Sequence, residues 1–434
     1  VAKPTSRRVA VVGGGIAGLS TAWLLSKTHR VTLFEAEPRL GGHTHTVDVT
    51  LEGVTAPVDT GFLVYNERTY PALTALFRHL DVQTVESDMS FSVRIADSGL
   101  EWAGSDLNAL FAQRRNLLRP AFWQMLRDIL RFNREATALA GAQAGTEQSL
   151  GRFLSERGFS AAFRDWYLLP MAGAIWSCPP QQMLAYPART FFRFCANHGL
   201  LQISDRPRWR TVAGGGRKYV ERLAAALTDV RLNTPVESVR RVPAGVEVLM
   251  AGGSERFDDV ILACHSDQSL RLLADADHDE RAVLGAIPYQ INEAVLHTDE
   301  RLLPRSRRAW SAWNYQAAAV ADGDKPVGVS YLINRLQPLP FAQPVIVTLN
   351  PADAPREDRV LKRLQYAHPV FDVASDAAQA RIAALQGRRG TWFCGAWTGF
   401  GFHEDGLRSA LAVAADFGVV APWRDRPVPL RMAA

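Results

Sequence analysis

Short apolar runs followed by glycine turns mark the two ends of the chain, and helical spacing dominates its middle. Residues 8–12 (RVAVV) form a β-branched run of the kind buried on both faces of a parallel sheet. A glycine-rich turn at 13–18 follows, then an apolar helical stretch from Leu19 to Ser26 and a second strand over 31–34. Further on, the glycines at 214–216 introduce a helix over 219–227. Alternating strands are predicted over 230–239 and 245–248, and a buried strand over 257–264. A strand at 391–394, a second glycine-rich turn and a helix from Leu407 to Phe417 close the pattern. Between these parts, residues 110–134 carry Phe111, Leu117, Leu118, Phe122, Met125 and Ile129 at roughly helical spacing, and Pro120 predicts a fresh helix start. The same stretch holds Arg114, Arg115, Arg119, Arg127, Arg131 and Arg134 against the single acid Asp128. Such a stretch is either a core-packed helix with a solvated basic face or a helix lying on anionic lipid. Residues 163–194 crowd together Phe163, Trp166, Tyr167, Trp176, Tyr186, Phe191, Phe192 and Phe194, either as plain core or as the lining of a tunnel for an alkyl chain.

Composition narrows the class. With 434 residues, 47% hydrophobic and 21% charged, the chain is an ordinary globular protein of two or three units, without long disorder. No apolar run approaches the ~18 residues of a membrane span, and the run before the first glycines is too short for a signal peptide. Cys178, Cys195, Cys264 and Cys394 are widely spaced, with no CxxC pair and no zinc-like histidine spacing. They fit a reduced, cytoplasmic protein, and no metal site is expected. The net charge of +5 permits an anionic partner. No zinc module, lysine-rich arm or aromatic RNA motif points to nucleic acid.

The first turn carries the clearest chemistry. Gly13, Gly15 and Gly18 fit G-x-G-x-x-G, with Ile16 and Ala17 inside the turn. Glu35, followed by Ala36, closes the second strand 22 residues after Gly13. Strand, glycine turn, helix, strand and acid in that order make a dinucleotide-binding fingerprint. The first glycine makes the turn, the second lets backbone approach a pyrophosphate, and the third lets helix and strand pack closely. The helix N-terminus favours the anion, and the acid accepts hydrogen bonds from ribose hydroxyls.

After Glu35 come Arg39, Gly41, Gly42 and His43. This R-x-G-G segment resembles the flavoprotein superfamily of amine oxidases, phytoene desaturases and protoporphyrinogen oxidases. The resemblance implies that it runs along the diphosphate of a non-covalently held FAD. It also implies that Val236 meets the adenine end through its backbone, and that the turn with Gly395, Trp397, Asp405 and Gly406 closes the flavin site. The expected fold is therefore α/β, with a discontinuous Rossmann-like FAD-binding domain (1–85, 205–285 and 386–420). An inserted α+β substrate domain, amine-oxidase-like, spans 86–204 and 286–385, and a C-terminal tail follows over 421–434.

Longer stretches, RLGGHTHTV (39–47), VDTGFLVYNERTYP (58–71), ILACHSDQSLRLL (261–273) and GAWTGFGFHEDGLRSA (395–410), narrow the resemblance. They are similar to one bacterial branch of predicted NAD/FAD-binding proteins associated with cyclopropane-fatty-acid-synthase-like methyltransferases. The branch implies hydride transfer between flavin N5 and an unsaturated or methyl-modified fatty acyl chain, by a desaturase, saturase or double-bond isomerase. It also implies a lipid substrate, a methyltransferase partner and peripheral contact with the inner face of an anionic membrane. Amine oxidation is the alternative, weakened because residues 287–296 lack the lysine that amine oxidases carry there and Lys325 sits in a turn. A non-catalytic flavoprotein partner of the methyltransferase is the second alternative. Thr60, Gly61, Phe62, Tyr65 and Trp397 are the expected neighbours of the ring. His43, Tyr65, His403 and Glu404 are the candidates for proton transfer.

Overall fold

The computed structural model describes residues 6–95, 98–141, 148–176, 180–202, 206–243, 245–317 and 328–423. Cys178, Lys325, the side chain of Trp176 and most of the proline-rich tail lie outside the described residues.

A five-stranded parallel sheet is built on one local strand–helix–strand unit. Strand β1 (Arg8–Val12) pairs in parallel with β2 (Arg30–Phe34), with helix α1 (Ile16–Leu25) as the crossover. All ten residues of α1 are buried, which its apolar-all-round sequence requires. The helix starts three residues before the predicted Leu19, because Gly15 already serves as its N-cap and accepts the Leu19 N–H at 2.9 Å. Distant segments complete the sheet. Val230–Arg231 pairs with β2, Asp259–Leu262 with β1, and Thr391–Phe393 with Asp259–Leu262. A three-stranded antiparallel sheet (236–242, 245–250 and 253–257) branches from it.

The predicted closing helix begins earlier than expected, at His403, and runs to Asp416. The reason is Asp405, whose carboxylate reaches back from the first turn to accept the N–H groups of Phe400 (3.1 Å) and Phe402 (2.9 Å). A seven-stranded mixed sheet stands apart from the parallel one, in the spatial order 360–369, 289–297, 346–349, 328–332, 313–317, 91–95, 100–103. The hairpin β3 (Thr46–Leu51) and β4 (Val54–Asp59) leads into the short strand β5 (Tyr65–Asn66) and helix α2 (Pro71–His79).

The arginine-rich stretch becomes a 3-10 turn at Arg114–Leu118 and a long helix from Pro120 to Ala140, with proline at its first position as expected. Its inner face buries Phe122, Met125 and Phe132. The aromatic set over 163–194 is mostly core: Phe163, Phe191 and Phe192 pack with Phe132 and Phe153 in one buried cluster. No described helix is long and apolar enough to cross a membrane.

Candidate active site

One cavity of about 1020 Å³ runs from the first glycine turn to the seven-stranded sheet. At the glycine end it is lined by Gly13, Gly15, Ile16, Ala17, Glu35, Ala36 and Val236. Glycine is required here for packing as much as for approach. A Cβ on Gly18 would overlap the carbonyl oxygen of Gly13, which has φ +109°, whereas a Cβ on Gly15 would meet nothing within 4 Å. Gly18 therefore seats the helix, and Gly15 leaves open space over the α1 N-terminus. Glu35 holds the turn by accepting the N–H groups of Gly14 (2.6 Å) and Glu37 (2.9 Å).

The next segment is folded by Arg39, whose guanidinium donates to the carbonyls of Gly42 (2.9 Å) and Thr44 (3.3 Å). Residues 60–62 then pair back onto 43–45. The Thr60 N–H donates to the His45 carbonyl at 2.9 Å and the Phe62 N–H to the His43 carbonyl at 3.0 Å. A side chain on Gly61 would overlap that same His43 carbonyl. This places Arg39, Gly41, Gly42, His43, Thr60, Gly61 and Phe62 together on the wall. Gly395 and Trp397 join from the closing turn, with the Trp397 indole N–H donating to the Cys264 carbonyl at 3.1 Å.

Two histidines among the predicted candidates face the cavity. His403 stacks on Phe62 with ring centroids 3.9 Å apart, and its Nε2 lies 2.8 Å from Thr44 Oγ1 and 3.2 Å from the Tyr219 hydroxyl. Burial pushes its imidazole down to about 3, so it is neutral at physiological pH. His43 lies 5.3 Å from the rings of both Tyr366 and His368 and 6.0 Å from His265. Its buried Nε2 has no hydrogen-bond partner in the protein. Burial, then the neighbouring imidazoles, hold it well below the usual histidine range.

Five predicted residues do not line the cavity. Tyr65 packs into the core against Tyr70 and Phe77. Glu404 is turned to helix α2, accepting the N–H groups of Ala72 and Leu73 at 3.0 Å each. Neither of these two proton-transfer candidates lines the cavity. Gly18 and Gly406 pack helices, and a Cβ on Gly406 would come within 2.9 Å of Ile16 Cγ2. Asp405 orders the closing turn from behind, and burial lifts its carboxyl to about 7.

Several lining residues escaped the sequence reading. Tyr366 and His368 come from the edge strand Val360–Pro369, and their i, i+2 spacing puts both on one face. The Tyr366 hydroxyl pairs with Thr60 Oγ1 at 2.7 Å, and His368 Nδ1 with the Asn292 amide at 2.9 Å. Tyr289 stacks on His265 at 4.4 Å. Beyond this girdle the wall turns apolar and aromatic, with Leu63, Val64, Met89, Ile175, Phe194, Leu200, Trp313, Tyr331 and Leu349. Among the described lining residues the only carboxylates are Glu35 and Glu37, both at the glycine end.

The open turn over α1, the acid at the end of β2 and the unpartnered His43 Nε2 together fit an elongated dinucleotide. Comparison with known proteins agrees. The family model of flavin-containing amine oxidoreductases matches residues 16–314. A carotenoid phi-ring synthase of Streptomyces griseus is 30% identical over 286 residues, 61% of this chain and 54% of that protein. The chain thus matches about half the length of this curated relative. Among solved structures, a fatty acid isomerase from P. acnes superposes with a TM-score of 0.69 at 16% identity, covering 96% of this chain and all of that one. Putrescine oxidase bound to putrescine gives 0.68 at 19%, covering 95% and 99%. Cyclohexylamine oxidase from Brevibacterium oxydans gives 0.68 at 16%, covering 95% and 100%.

Proposed function

The chain belongs to the family of flavin-containing amine oxidoreductases and is an FAD-dependent oxidoreductase, and on that premise we propose that its substrate is an unsaturated or methyl-modified fatty acyl chain, which it desaturates, saturates or isomerises. The observation that carries this reading is the character of the cavity beyond the histidine–tyrosine girdle. That end is mostly apolar and aromatic, with the imidazole of His198 stacked on Phe194, and no described carboxylate lines it. A protonated amine entering there would lose its hydration with no carboxylate to replace it. An alkyl chain loses nothing, and gains about 0.8 kcal/mol for each methylene removed from water. The fold hosts amine oxidases and a fatty acid isomerase alike, so it does not choose between the readings. The curated relative is named for a carotenoid, which is likewise long and apolar.

Bound FAD supplies the hydride exchange. Gly13 to Ala17, at the N-terminus of α1, would hold its diphosphate with Arg39 and Gly42, Glu35 its ribose, and the 60–62 segment and Trp397 the region of its ring. We assign proton handling to His43. Burial, then the neighbouring imidazoles, keeps the ring neutral, so its unpartnered Nε2 would hold a proton only transiently and pass it on. His403 acts differently, as a neutral positioning group fixed between Phe62, Thr44 and Tyr219.

The test is an anaerobic visible spectrum of the oxidised and the reduced holoprotein. Each is mixed with detergent-dispersed lipids carrying unsaturated or methyl-branched chains, and the acyl products are read by mass spectrometry. A changed flavin band in either redox state, or a moved double bond, is the expected outcome. Unaltered spectra and lipids, with bleaching by putrescine or a monoamine, would sink the acyl reading.

A further inference from the structure

The outer face of the arginine-rich segment is unlike the rest of its helix. Leu118 is 87% exposed, Leu107 75%, Leu130 56%, Trp123 46% and Leu117 43%. Local contacts gather them. The Trp123 indole N–H donates to the Leu117 carbonyl at 2.9 Å, and its ring lies 5.6 Å from Phe111. Arg114 ties the Leu107–Leu110 turn to the same corner by donating to Asn108 Oδ1 (2.7 Å) and the Phe111 carbonyl (3.2 Å). Leu130 follows Trp123 by two helical turns, so it extends the same face along the helix.

The charge on this face is one-sided. Arg114, Arg115, Arg119, Arg127 and Arg134 have no carboxylate partner within 4.0 Å among the described residues, whereas Arg131 pairs with Asp128 and Glu135. Exposed leucines and a tryptophan among unpaired arginines suit one surface chemistry. The apolar groups need a hydrocarbon boundary, and the guanidinium groups need phosphate above it. A second copy of this chain would bring like charges together, and a nucleic acid would leave the leucines in water.

We infer that residues 107–134 seat this protein on an anionic lipid bilayer, with Leu107, Leu117, Leu118 and Trp123 entering the acyl boundary and the arginines engaging headgroup phosphates. This inference stands apart from the acyl-substrate reading, since vesicle binding is measured without turnover.

The experiment sediments flavin-loaded protein with phosphatidylcholine vesicles, with and without phosphatidylglycerol. The parent is compared with Leu118→Ser/Trp123→Ala and with Arg114→Gln/Arg115→Gln/Arg127→Gln, using retained flavin absorbance as the check on folding. The parent should partition onto the anionic vesicles and much less onto the neutral ones. Removing three arginines should lower the partition coefficient on the order of a hundredfold, at about fivefold per charge. The apolar pair should lower it about tenfold. A parent that stays in the supernatant overturns the inference. So does an apolar variant that sediments like the parent, which would leave only adsorption of a basic surface. A patch variant that converts a dimer to a monomer, with vesicle binding unchanged, assigns the face to self-association and overturns it too.

Discussion

Glu35 spends one acceptor site of each carboxylate oxygen on backbone, at Gly14 and Glu37, and an ionised carboxylate offers about four such sites. Two remain for a ligand in the cavity it lines. Replacing it by Gln substitutes an NH2 group for one acceptor and sets donor against donor. A hydrogen bond to a charged group contributes about 1.5–3 kcal/mol, so Glu35→Gln should weaken FAD binding about 10- to 100-fold. The ratio of flavin to protein absorbance after purification checks this, and full occupancy in the variant would remove Glu35 from the cofactor site. The acid was readable from sequence because a strand, a turn and a helix of ordinary length fix its place. Tyr366 and His368 were not, although they stand opposite His43. Their position depends on the pairing of 360–369 with 289–297, about 70 residues away in the chain, and no local pattern announces that register.

The helix over 403–416 connects parts of the molecule that lie far apart in sequence. Its first turn sends His403 to the cavity wall, Glu404 to the N-terminus of α2 and Asp405 back to its own turn. Three adjacent polar residues therefore do three jobs, whereas the sequence grouped His403 with Glu404 as proton-transfer candidates and set Asp405 in the turn closing the flavin site. Glu404 accepts two N–H groups that α2 cannot satisfy internally, at the end where the helix dipole favours an anion. Glu404→Ala should cost about 2–3 kcal/mol of stability, read as a lowered urea midpoint. Turnover per bound flavin should stay within about twofold of the parent, since 1.4 kcal/mol corresponds to a tenfold change in rate and this side chain lies outside the cavity. A large loss of turnover at full flavin occupancy would restore Glu404 to the reacting groups. Elements built from neighbouring residues, such as β1–α1–β2, were legible for the reason that this helix start was not. Their boundaries are set within a single glycine turn, whereas the start at His403 is set by a carboxylate reaching back over the turn before it.

Across the whole molecule, the titrating groups set against one another decide how stability responds to acid. Burial holds His45, His198, His297 and His368 at about 4 and His403 at about 3, with His43 also low. The unfolded chain protonates these groups near 6.5, so their neutral burial costs nothing above that pH and increasingly more below it. Three carboxyls act in the opposite sense, as burial raises Asp59 and Asp259 to about 6 and Asp405 to about 7. Their contribution is present at low pH and is lost as pH rises through 6 to 7. Near pH 5.5 the unfolded chain carries extra protons on these six histidines, and the native one on the three carboxyls, which are fewer. The histidines outweigh the carboxyls, so stability should fall as the medium is acidified from 6.5 towards 5. His297 isolates one share of this slope, because it lies buried in the seven-stranded sheet, away from the cavity lining. Its Nδ1 accepts the Asp299 N–H at 3.0 Å and its Nε2 pairs with Thr348 Oγ1 at 2.8 Å, so a second ring proton would face a donor. Urea midpoints of the holoprotein between pH 5 and 7 should therefore rise with pH, and His297→Asn should flatten the slope by about one proton. Midpoints that are level or fall over that window would mean that the buried carboxyls, and not the histidines, govern the response.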